Sequence, residues 1–168
     1  CEVDPRSAGA HSLLLFCLSH DGNTSAHDLY LEHRRFGEKF EGSRDYSCIV
    51  HKNTKEPNRR IKLGVVSADL RNHAVASFFE PVFYLLQRSD SLSLYIYDNG
   101  GPVDEVATRM KAQASHWSEV AKLTDHALAE LIRTDGIDVL IDLSGHTPGH
   151  RLLSFVEKPA PVQLSWMG

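Results

Sequence analysis

The sequence of 168 residues lacks the cysteine spacing of a disulfide-stapled or zinc-binding protein. Its three cysteines, Cys1, Cys17 and Cys48, are an odd number at irregular spacing, and no Cys-x-x-Cys pair occurs. Disulfide frameworks belong to oxidising compartments, and structural zinc sites need closely spaced ligands. The sequence therefore suggests neither feature, and we expect a reducing, cytoplasmic location.

Long apolar runs are also absent. The longest run spans residues 13–18, far short of the roughly 20 apolar residues that a membrane-crossing helix needs. The chain does not open with a basic segment followed by an apolar one, as a secretory signal would. We therefore expect a soluble protein without a membrane partner.

An excess of positive charge is missing as well. The chain has 18 lysines and arginines against 22 acidic residues, a formal net charge of −4. This balance offers no electrostatic attraction for nucleic acid, so no nucleic-acid partner is expected. One interrupted basic cluster occurs, and we interpret it as a solvated linker rather than a phosphate-binding patch. The cluster consists of Lys52, Lys55, Arg59 and Arg60.

Two phosphate-binding motifs are missing too. The first predicted strand–helix turn reads GVVSADLRNH, without the Gly-x-Gly-x-x-Gly fingerprint of dinucleotide-binding folds. The sequence also contains no Gly-x-x-x-x-Gly-Lys-Ser/Thr loop. These absences disfavour a dinucleotide site and exclude the phosphate-cradling loop of nucleotide hydrolases.

What the sequence does contain, from residue 61 onwards, is a regular alternation of strand-like and helix-like segments. The predicted strands occupy residues 61–67, 92–97, 117–120, 137–143 and 162–167. The predicted helices begin near Ala74, Val103, Thr124 and Leu152. This alternation predicts an α/β fold with a Rossmann-like, mostly parallel sheet covered by helices on both faces. Four large aromatic residues are predicted to lie in the core: Phe78, Phe79, Trp117 and Trp166.

The chain before residue 61 has a different character. Residues 12–18 are apolar, and residues 25–40 carry apolar positions at helical spacing, which together predict a helical hairpin. The predicted stripe consists of Ala26, Leu29, Tyr30, His33, Phe36 and Phe40. We therefore divide the chain into a helical tail at residues 1–42, a linker at 43–60 and a Rossmann-like lobe at 61–168.

Both ends of the chain look cut. The first residue is Cys1 rather than methionine, and the chain stops at Gly168 directly after a strand-like run. A parallel strand at that position would normally continue into a crossover connection. We therefore expect a fragment of a longer protein.

The candidate site lies in the loops that follow the predicted strands, because parallel α/β sheets bind ligands beyond the carboxyl ends of their strands. His73 stands at the predicted N-terminus of the helix after the first strand. There the helix dipole disfavours the imidazolium and would keep a neutral base available near neutral pH. The same position could also bind an anionic phosphate. The alternative is a histidine that only caps the helix or packs.

Two further pairs of polar residues receive structural interpretations. His146 and His150 have the spacing of helical metal ligands, but Pro148 and Gly149 between them indicate a loop, so no metal site is predicted. Asp138 and Asp142 flank a predicted strand. We interpret them as edge-facing, solvated or capping carboxylates rather than as a catalytic pair.

Three ordered motifs resemble the catalytic region of the O-linked N-acetylglucosamine transferases: VSADLRNHAVASFFEPV, DGIDVLIDLSGHTPG and KPAPVQLSWMG. The segment HRRFGEKF is similar to the helices that join tetratricopeptide repeats to the catalytic part of bacterial members. The resemblance implies an inverting, metal-independent glycosyltransferase with two Rossmann-like lobes and no cofactor. Its donor would be UDP-N-acetylglucosamine and its acceptors the serine and threonine hydroxyls of proteins. The second lobe, which holds most of the donor nucleotide in the family, is not within these residues, so the fragment alone is expected to be inactive.

The resemblance also implies roles for individual residues. His73 matches the active-site histidine of the family, and Asn72 beside it is a candidate for substrate binding. Gly145, His146 and Thr147 belong to the GHTPG loop, which matches a family loop near the cleft, and are further substrate-binding candidates.

The acceptor and the sugar stay open at this point. His146 stands where animal members tend to have an aromatic residue and where plant-type members often have histidine, and some plant relatives transfer fucose. One alternative is thus a plant-type protein O-fucosyltransferase, and another is a two-lobed enzyme acting on a small molecule or glycan. A third is a non-catalytic α/β scaffold whose helical segment docks a partner. The helical segment favours a protein acceptor, since helical repeats commonly bind extended peptides.

Overall fold

A computed structural model of the chain describes residues 7–42 and 44–167. Cys1 and Gly168, on which the expectation of a cut chain rests, lie outside the described residues. The helices of the described part are α1 (Ala8–Ser19), α2 (Ala26–Glu41), α3 (Ala74–Gln87), α4 (Glu105–Gln113), α5 (Asp125–Asp135) and α6 (Leu152–Val156). The strands are β1 (Ile61–Ser67), β2 (Leu92–Asp98), β3 (His116–Glu119), β4 (Val139–Asp142) and β5 (Val162–Ser165). None of these helices is long and apolar enough to cross a membrane.

The strands form one parallel sheet in the order β3-β2-β1-β4-β5. The chain builds outward from β1 to β3, then crosses back to place β4 on the other side of β1. The loops that follow β1 and β4 therefore diverge at a topological switch point, where such sheets bind their ligands. The predicted α/β class with a Rossmann-like parallel sheet is confirmed.

Helices cover the sheet on both faces. One face packs against α3 and α4 through a buried cluster that includes Leu63, Val65, Phe79, Phe83, Leu94, Ile96 and Met110. The other face packs against α5 and α6 through a second cluster that includes Val66, Tyr97, Leu128, Ile132, Leu140 and Ala160. Burial of these apolar side chains is the main stabilisation of the lobe, and it fixes the positions of the loops at the strand ends.

Two of the four aromatic residues predicted for the core are not buried. Phe79 is 1% exposed and Trp117 is half-buried, but Phe78 is 70% and Trp166 39% exposed. Helix α3 turns Phe79 towards the sheet, and Phe78 lies about 100° around the helix from it. Trp166 follows the edge strand β5, which has a neighbouring strand on one side only among the described residues. The prediction was therefore wrong for Phe78 and Trp166.

Of the three interpretations offered for Asp138 (edge-facing, solvated or capping), solvation was wrong. Asp138 is 7% exposed and accepts hydrogen bonds from the Arg59 guanidinium at 2.5 and 2.6 Å. It also accepts from the Asn53 amide at 2.7 Å and from the Lys62 backbone N–H at 2.8 Å. Arg59 is thus not a free member of a solvated basic cluster. It fastens the segment before β1 to the lobe.

The predicted hairpin is present, but its apolar stripe is narrower than expected. Helices α1 and α2 pack against each other, with the His11 ring of α1 5.4 Å from the buried Phe36 of α2 and 5.9 Å from Phe40. On α2 the stripe residues Leu29 and Phe40 are half-buried, whereas the other three are exposed: Ala26, Tyr30 and His33. The contact with α1 covers only part of the α2 surface. The division of the chain at residues 42 and 60 remains a prediction.

Candidate functional site

Two loops meet at the carboxyl edge of the sheet, one after β1 (residues 68–73) and one after β4 (residues 143–151). Gly149 in the second loop packs directly against Ala68 in the first. Its φ is +83°, and a Cβ atom at this position would lie 2.8 Å from the Cβ of Ala68. Only glycine fits both this backbone conformation and this close approach. The candidate residues of the two loops are therefore held on adjoining pieces of backbone.

His73 is the N-cap residue of α3. Its Nδ1 accepts a hydrogen bond from the Val75 backbone N–H at 3.3 Å, and its side chain is 40% exposed. Nδ1 also lies 3.9 Å from Oδ1 of the buried Asp69. The position at the helix N-terminus agrees with the prediction. The ring can therefore reach a substrate while it caps the helix.

The hydrogen bond from the Val75 N–H determines which nitrogen of the neutral His73 ring carries the proton. While Nδ1 accepts from Val75, the neutral ring carries its proton on Nε2, which is then a donor. A donor suits a phosphate or sugar oxygen. Action as a base at Nε2 requires the proton to move to Nδ1, and Asp69 is the carboxylate placed to support that tautomer after a small ring rotation.

Asn72 is anchored through its backbone rather than its side chain. Its N–H donates to Oδ2 of Asp104 at 2.5 Å, and Asp104 also caps α4 by accepting from the Ala107 N–H at 2.9 Å. These backbone donors, Ala107 first, hold the pKa of Asp104 below its ordinary value. The Asn72 side chain is exposed, beside His73.

Asp142 fixes the start of the loop after β4. It is 1% exposed, and its carboxylate accepts from the backbone N–H groups of Ser144 at 3.1 Å and Gly145 at 2.8 Å. The Ser165 hydroxyl donates to it at 2.9 Å and ties the loop to β5. Burial raises the pKa of Asp142, although these hydrogen bonds oppose the shift. Of the three interpretations considered, capping was correct and solvation was wrong.

Gly145, His146 and Thr147 line a cleft of about 540 Å³ between the hairpin and the lobe. The other lining residues are Leu15, Phe16, Ser19, His20, His33, Leu152, Ser165 and Met167. No lysine, arginine or carboxylate is among them, so the cleft suits a neutral or apolar group better than a diphosphate. The structure thus brings three of the five candidates together here and leaves Asn72 and His73 at the α3 N-terminus.

The His146 ring is turned towards the hairpin. Its Nδ1 lies 3.0 Å from the Ser12 hydroxyl, and its centroid is 5.0 Å from His33 and 4.7 Å from Phe36. Burial first, then the neighbouring His33, His150 and His11, lower the pKa of His146 from 6.5 to about 4. The ring is neutral at neutral pH and joins the hairpin to the lobe. Sequence reasoning missed this contact because it joins residues 134 positions apart.

We expect acid to weaken the folded state through His146. Between pH 6.5 and about 4, the unfolded chain binds a proton at His146 that the folded chain does not, so stability falls as pH falls through this window. His146→Asn should therefore reduce the loss of Tm between neutral pH and about pH 5 by a few °C. Thermal melts at both pH values measure this difference. His27→Asn, an exposed change on α2, is the control, and equal pH dependence of all three proteins would contradict the prediction.

One group in the described part of the chain has three possible metal ligands close together: His126, Glu130 and Glu157. Arg133 already pairs with both glutamates, and His126 contacts Glu157 at 2.9 Å. These ion pairs account for the cluster without a metal. His146 and His150, with ring centroids 6.0 Å apart, do not belong to it.

Comparison with known proteins places nearly the whole chain within one family. The sequence profile of glycosyl transferase family 41 matches residues 6–168. A mutant of the Thermobaculum terrenum O-GlcNAc transferase has a solved structure that superposes with a TM-score of 0.86 at 34% sequence identity. That match covers 98% of this chain and 31% of the other.

Curated plant proteins are similar as well. The probable UDP-N-acetylglucosamine–peptide N-acetylglucosaminyltransferase SPINDLY of Petunia hybrida is 28% identical over 171 residues, 99% of this chain and 18% of the relative. The protein SEC of Arabidopsis thaliana, with the same enzyme description, is 32% identical over 111 residues, 66% of this chain and 11% of the relative. The chain thus spans less than a fifth of the length of these relatives.

Proposed function

This chain belongs to glycosyl transferase family 41, and from that membership we propose that it forms part of the catalytic region of a protein O-glycosyltransferase. The reaction would transfer N-acetylglucosamine from UDP-N-acetylglucosamine to serine and threonine hydroxyls of proteins. The observation that carries this proposal is the match to an O-GlcNAc transferase over 98% of the chain, with a TM-score of 0.86 and 34% identity. At 34% identity the likeness extends beyond the fold to the amino-acid sequence.

The proposed chemistry is an inverting displacement without a metal ion. The acceptor hydroxyl attacks the anomeric carbon and passes its proton to a general base, and the diphosphate departs from the opposite side with the electrons of the broken bond. Negative charge then grows on the leaving diphosphate, and the N-terminus of α3 favours negative charge beside it. His73 at that N-terminus is our proposed catalytic residue, either as base at Nε2 or as donor to the leaving group.

The remaining candidates are proposed to bind substrate. Asn72 is exposed beside His73, where it can contact the sugar or the acceptor. Gly145 and Thr147 face the uncharged cleft next to the hairpin, which suits a segment of the acceptor protein. His146 is proposed to shape this cleft from its wall, because its Nδ1 already contacts Ser12.

The protein is proposed to act only with the rest of its catalytic region. The match covers only 31% of the solved relative's chain, so a second lobe is expected to complete the donor site. A reducing, cytoplasmic location belongs to the same proposal. The free and exposed thiols of Cys17 and Cys48 support it.

A transfer assay on the full-length protein tests the proposal. The protein is incubated with acceptor proteins and either labelled UDP-N-acetylglucosamine or a labelled nucleotide-activated fucose, with and without EDTA. We expect the N-acetylglucosamine label on serine or threonine with inverted anomeric configuration, and no loss of activity with EDTA. Label from the fucose donor alone would replace the proposal by the plant-type alternative. No transfer from any nucleotide sugar would refute it in favour of the scaffold.

A further inference from the structure

A buried arginine, Arg151, ends the loop after β4. Arg151 is 8% exposed, and its Nε donates to Oδ1 of Asp125 at 2.7 Å. One terminal nitrogen, Nη1, donates to Oδ1 of Asn99 at 2.7 Å and to the Val120 carbonyl at 3.2 Å. The other, Nη2, donates to the Leu123 carbonyl at 2.9 Å. A buried guanidinium needs such a set of acceptors, so its position is tightly fixed.

Arg151 also fixes the orientation of the Asn99 amide. A guanidinium has only donors, so the amide oxygen must face Arg151 and the NH2 group must point away. That NH2 group donates to the Gly149 carbonyl at 2.6 Å. The Asn99 backbone N–H in turn donates to the Ser67 carbonyl at the end of β1, at 2.8 Å. Asn99 therefore joins the end of β1 to the loop after β4.

The hydrogen bond from Asn99 holds Gly149 next to the loop that carries His73. Gly149 rests against Ala68, and Ala68 begins the loop that leads to His73. At its other end the loop after β4 is held by Asp142. Asp142 and Arg151 hold the two ends of this loop, so release of Gly149 would loosen the segment between them that touches the His73 loop.

We propose that Asn99, oriented by Arg151, is a positioning residue that sets the separation between the loop carrying Gly145, His146 and Thr147 and the loop carrying His73. The proposal rests on the function proposed above, since it concerns residues assigned to that reaction. Asn99 itself is not required to touch the substrate. It acts through the Gly149 carbonyl.

Two substitutions that hardly change the size of the side chain test whether Asn99 positions the loop or only supports the fold. Asn99→Asp keeps an oxygen for Arg151 but removes the donor to Gly149 and sets a carboxylate oxygen against its carbonyl. Asp125→Asn keeps an oxygen for the Arg151 Nε but removes the charge of the pair, on the side of the guanidinium away from Asn99, where Asp125 also accepts from the Ser154 hydroxyl at 3.0 Å. Both changes alter an acceptor of Arg151, and only the first removes the hydrogen bond to Gly149.

In the full-length protein, Asn99→Asp should lower kcat about tenfold or more, because misplacement of reacting groups by an ångström has effects of this size. The KM for the nucleotide sugar should stay within about twofold, because Asn99 is not proposed to contact the substrate and its loss removes no binding interaction. Its Tm should stay within about 2 °C of the parent. Asp125→Asn should instead lower Tm and leave kcat unchanged.

Hydrogen exchange on the same proteins gives a readout that does not depend on activity. The amides of Thr147 and His150 are bonded within the loop, to Ser144 and Thr147 at 3.0 and 3.2 Å, and should exchange faster in Asn99→Asp only. Unchanged exchange in Asn99→Asp would overturn the proposal, as would faster exchange with an unchanged kcat or an equal loss of kcat in both variants. If the parent transfers no sugar, the proposed function fails, and the exchange comparison still decides whether Asn99 fixes the loop.

Discussion

Removal of the imidazole at residue 73 is expected to lower the turnover of the full-length protein by about 10²–10⁴-fold, the range that a positioned acid–base group contributes. Nucleotide affinity should change much less, because the ring is proposed to act on the transferred proton or the leaving group rather than to hold the donor. Single-turnover transfer rates and nucleotide titrations on the same preparations measure the two quantities separately.

The cap function of His73 must be separated from its chemistry, and two substitutions do this. His73→Asn retains a side chain that caps helices well, whereas His73→Ala also removes the cap and costs about 1 kcal/mol of stability. Both should lose turnover to the same extent, and only the alanine variant should melt earlier. His27→Ala on the exposed face of α2 is the control. Unchanged turnover in His73→Asn would remove His73 from the mechanism.

A single added methyl group at Gly64 in β1 is expected to destabilise the folded state by about 1–3 kcal/mol, the usual cost of overpacking a core. A Cβ atom there would lie 2.9 Å from Leu140 Cδ1, 3.0 Å from Ile137 Cγ2 and 3.1 Å from Tyr97 Cε2. Tyr97 cannot yield easily, because its hydroxyl is bonded to Asp135 at 2.6 Å. Gly64→Ala should therefore lower Tm by several °C in a thermal melt.

Replacing a glycine by alanine in the hairpin should raise the stability of the fold rather than lower it. Gly37 lies within α2, and apart from its chain neighbours and the helix backbone no described atom lies within 4 Å of the position its Cβ would occupy. Alanine is favoured over glycine inside a helix by about 1 kcal/mol, so Gly37→Ala should raise stability. If both variants moved Tm in the same direction, the close packing around Gly64 would not be the cause of its effect.

Sequence reasoning located the elements well where the pattern is local. The strand at residues 61–67 was predicted with the observed bounds, the helices at Ala74 and Leu152 with the observed starts, and His73 was predicted at the start of α3. These features depend on neighbours within one or two turns of chain, through alternation, helical spacing and capping. The exposure of Phe78 was not predicted, because spacing alone does not tell which side of a helix meets the sheet.

The supporting residues of the site were missed for a related reason. Asp142, Asn99 and Arg151 are ordinary polar residues in the sequence, and the interpretation of Asp142 included solvation. Arg151 and Asn99 are 52 positions apart, and Asn99 and Gly149 are 50 apart. Their partners are brought together by strand order, which no short pattern contains. A buried polar side chain can be recognised only after its surroundings are known.

The amino-acid sequence by itself determined the α/β class, the order of helices and strands, the loops that could carry a site and the family resemblance. These follow from hydrophobic periodicity and from short motifs, which act over a few residues. The tertiary structure alone decided that β4 returns beside β1, that Gly149 rests on Ala68 and that His146 joins the hairpin to the lobe. Such contacts depend on close packing between distant segments, where a shift of an ångström changes which side chains meet.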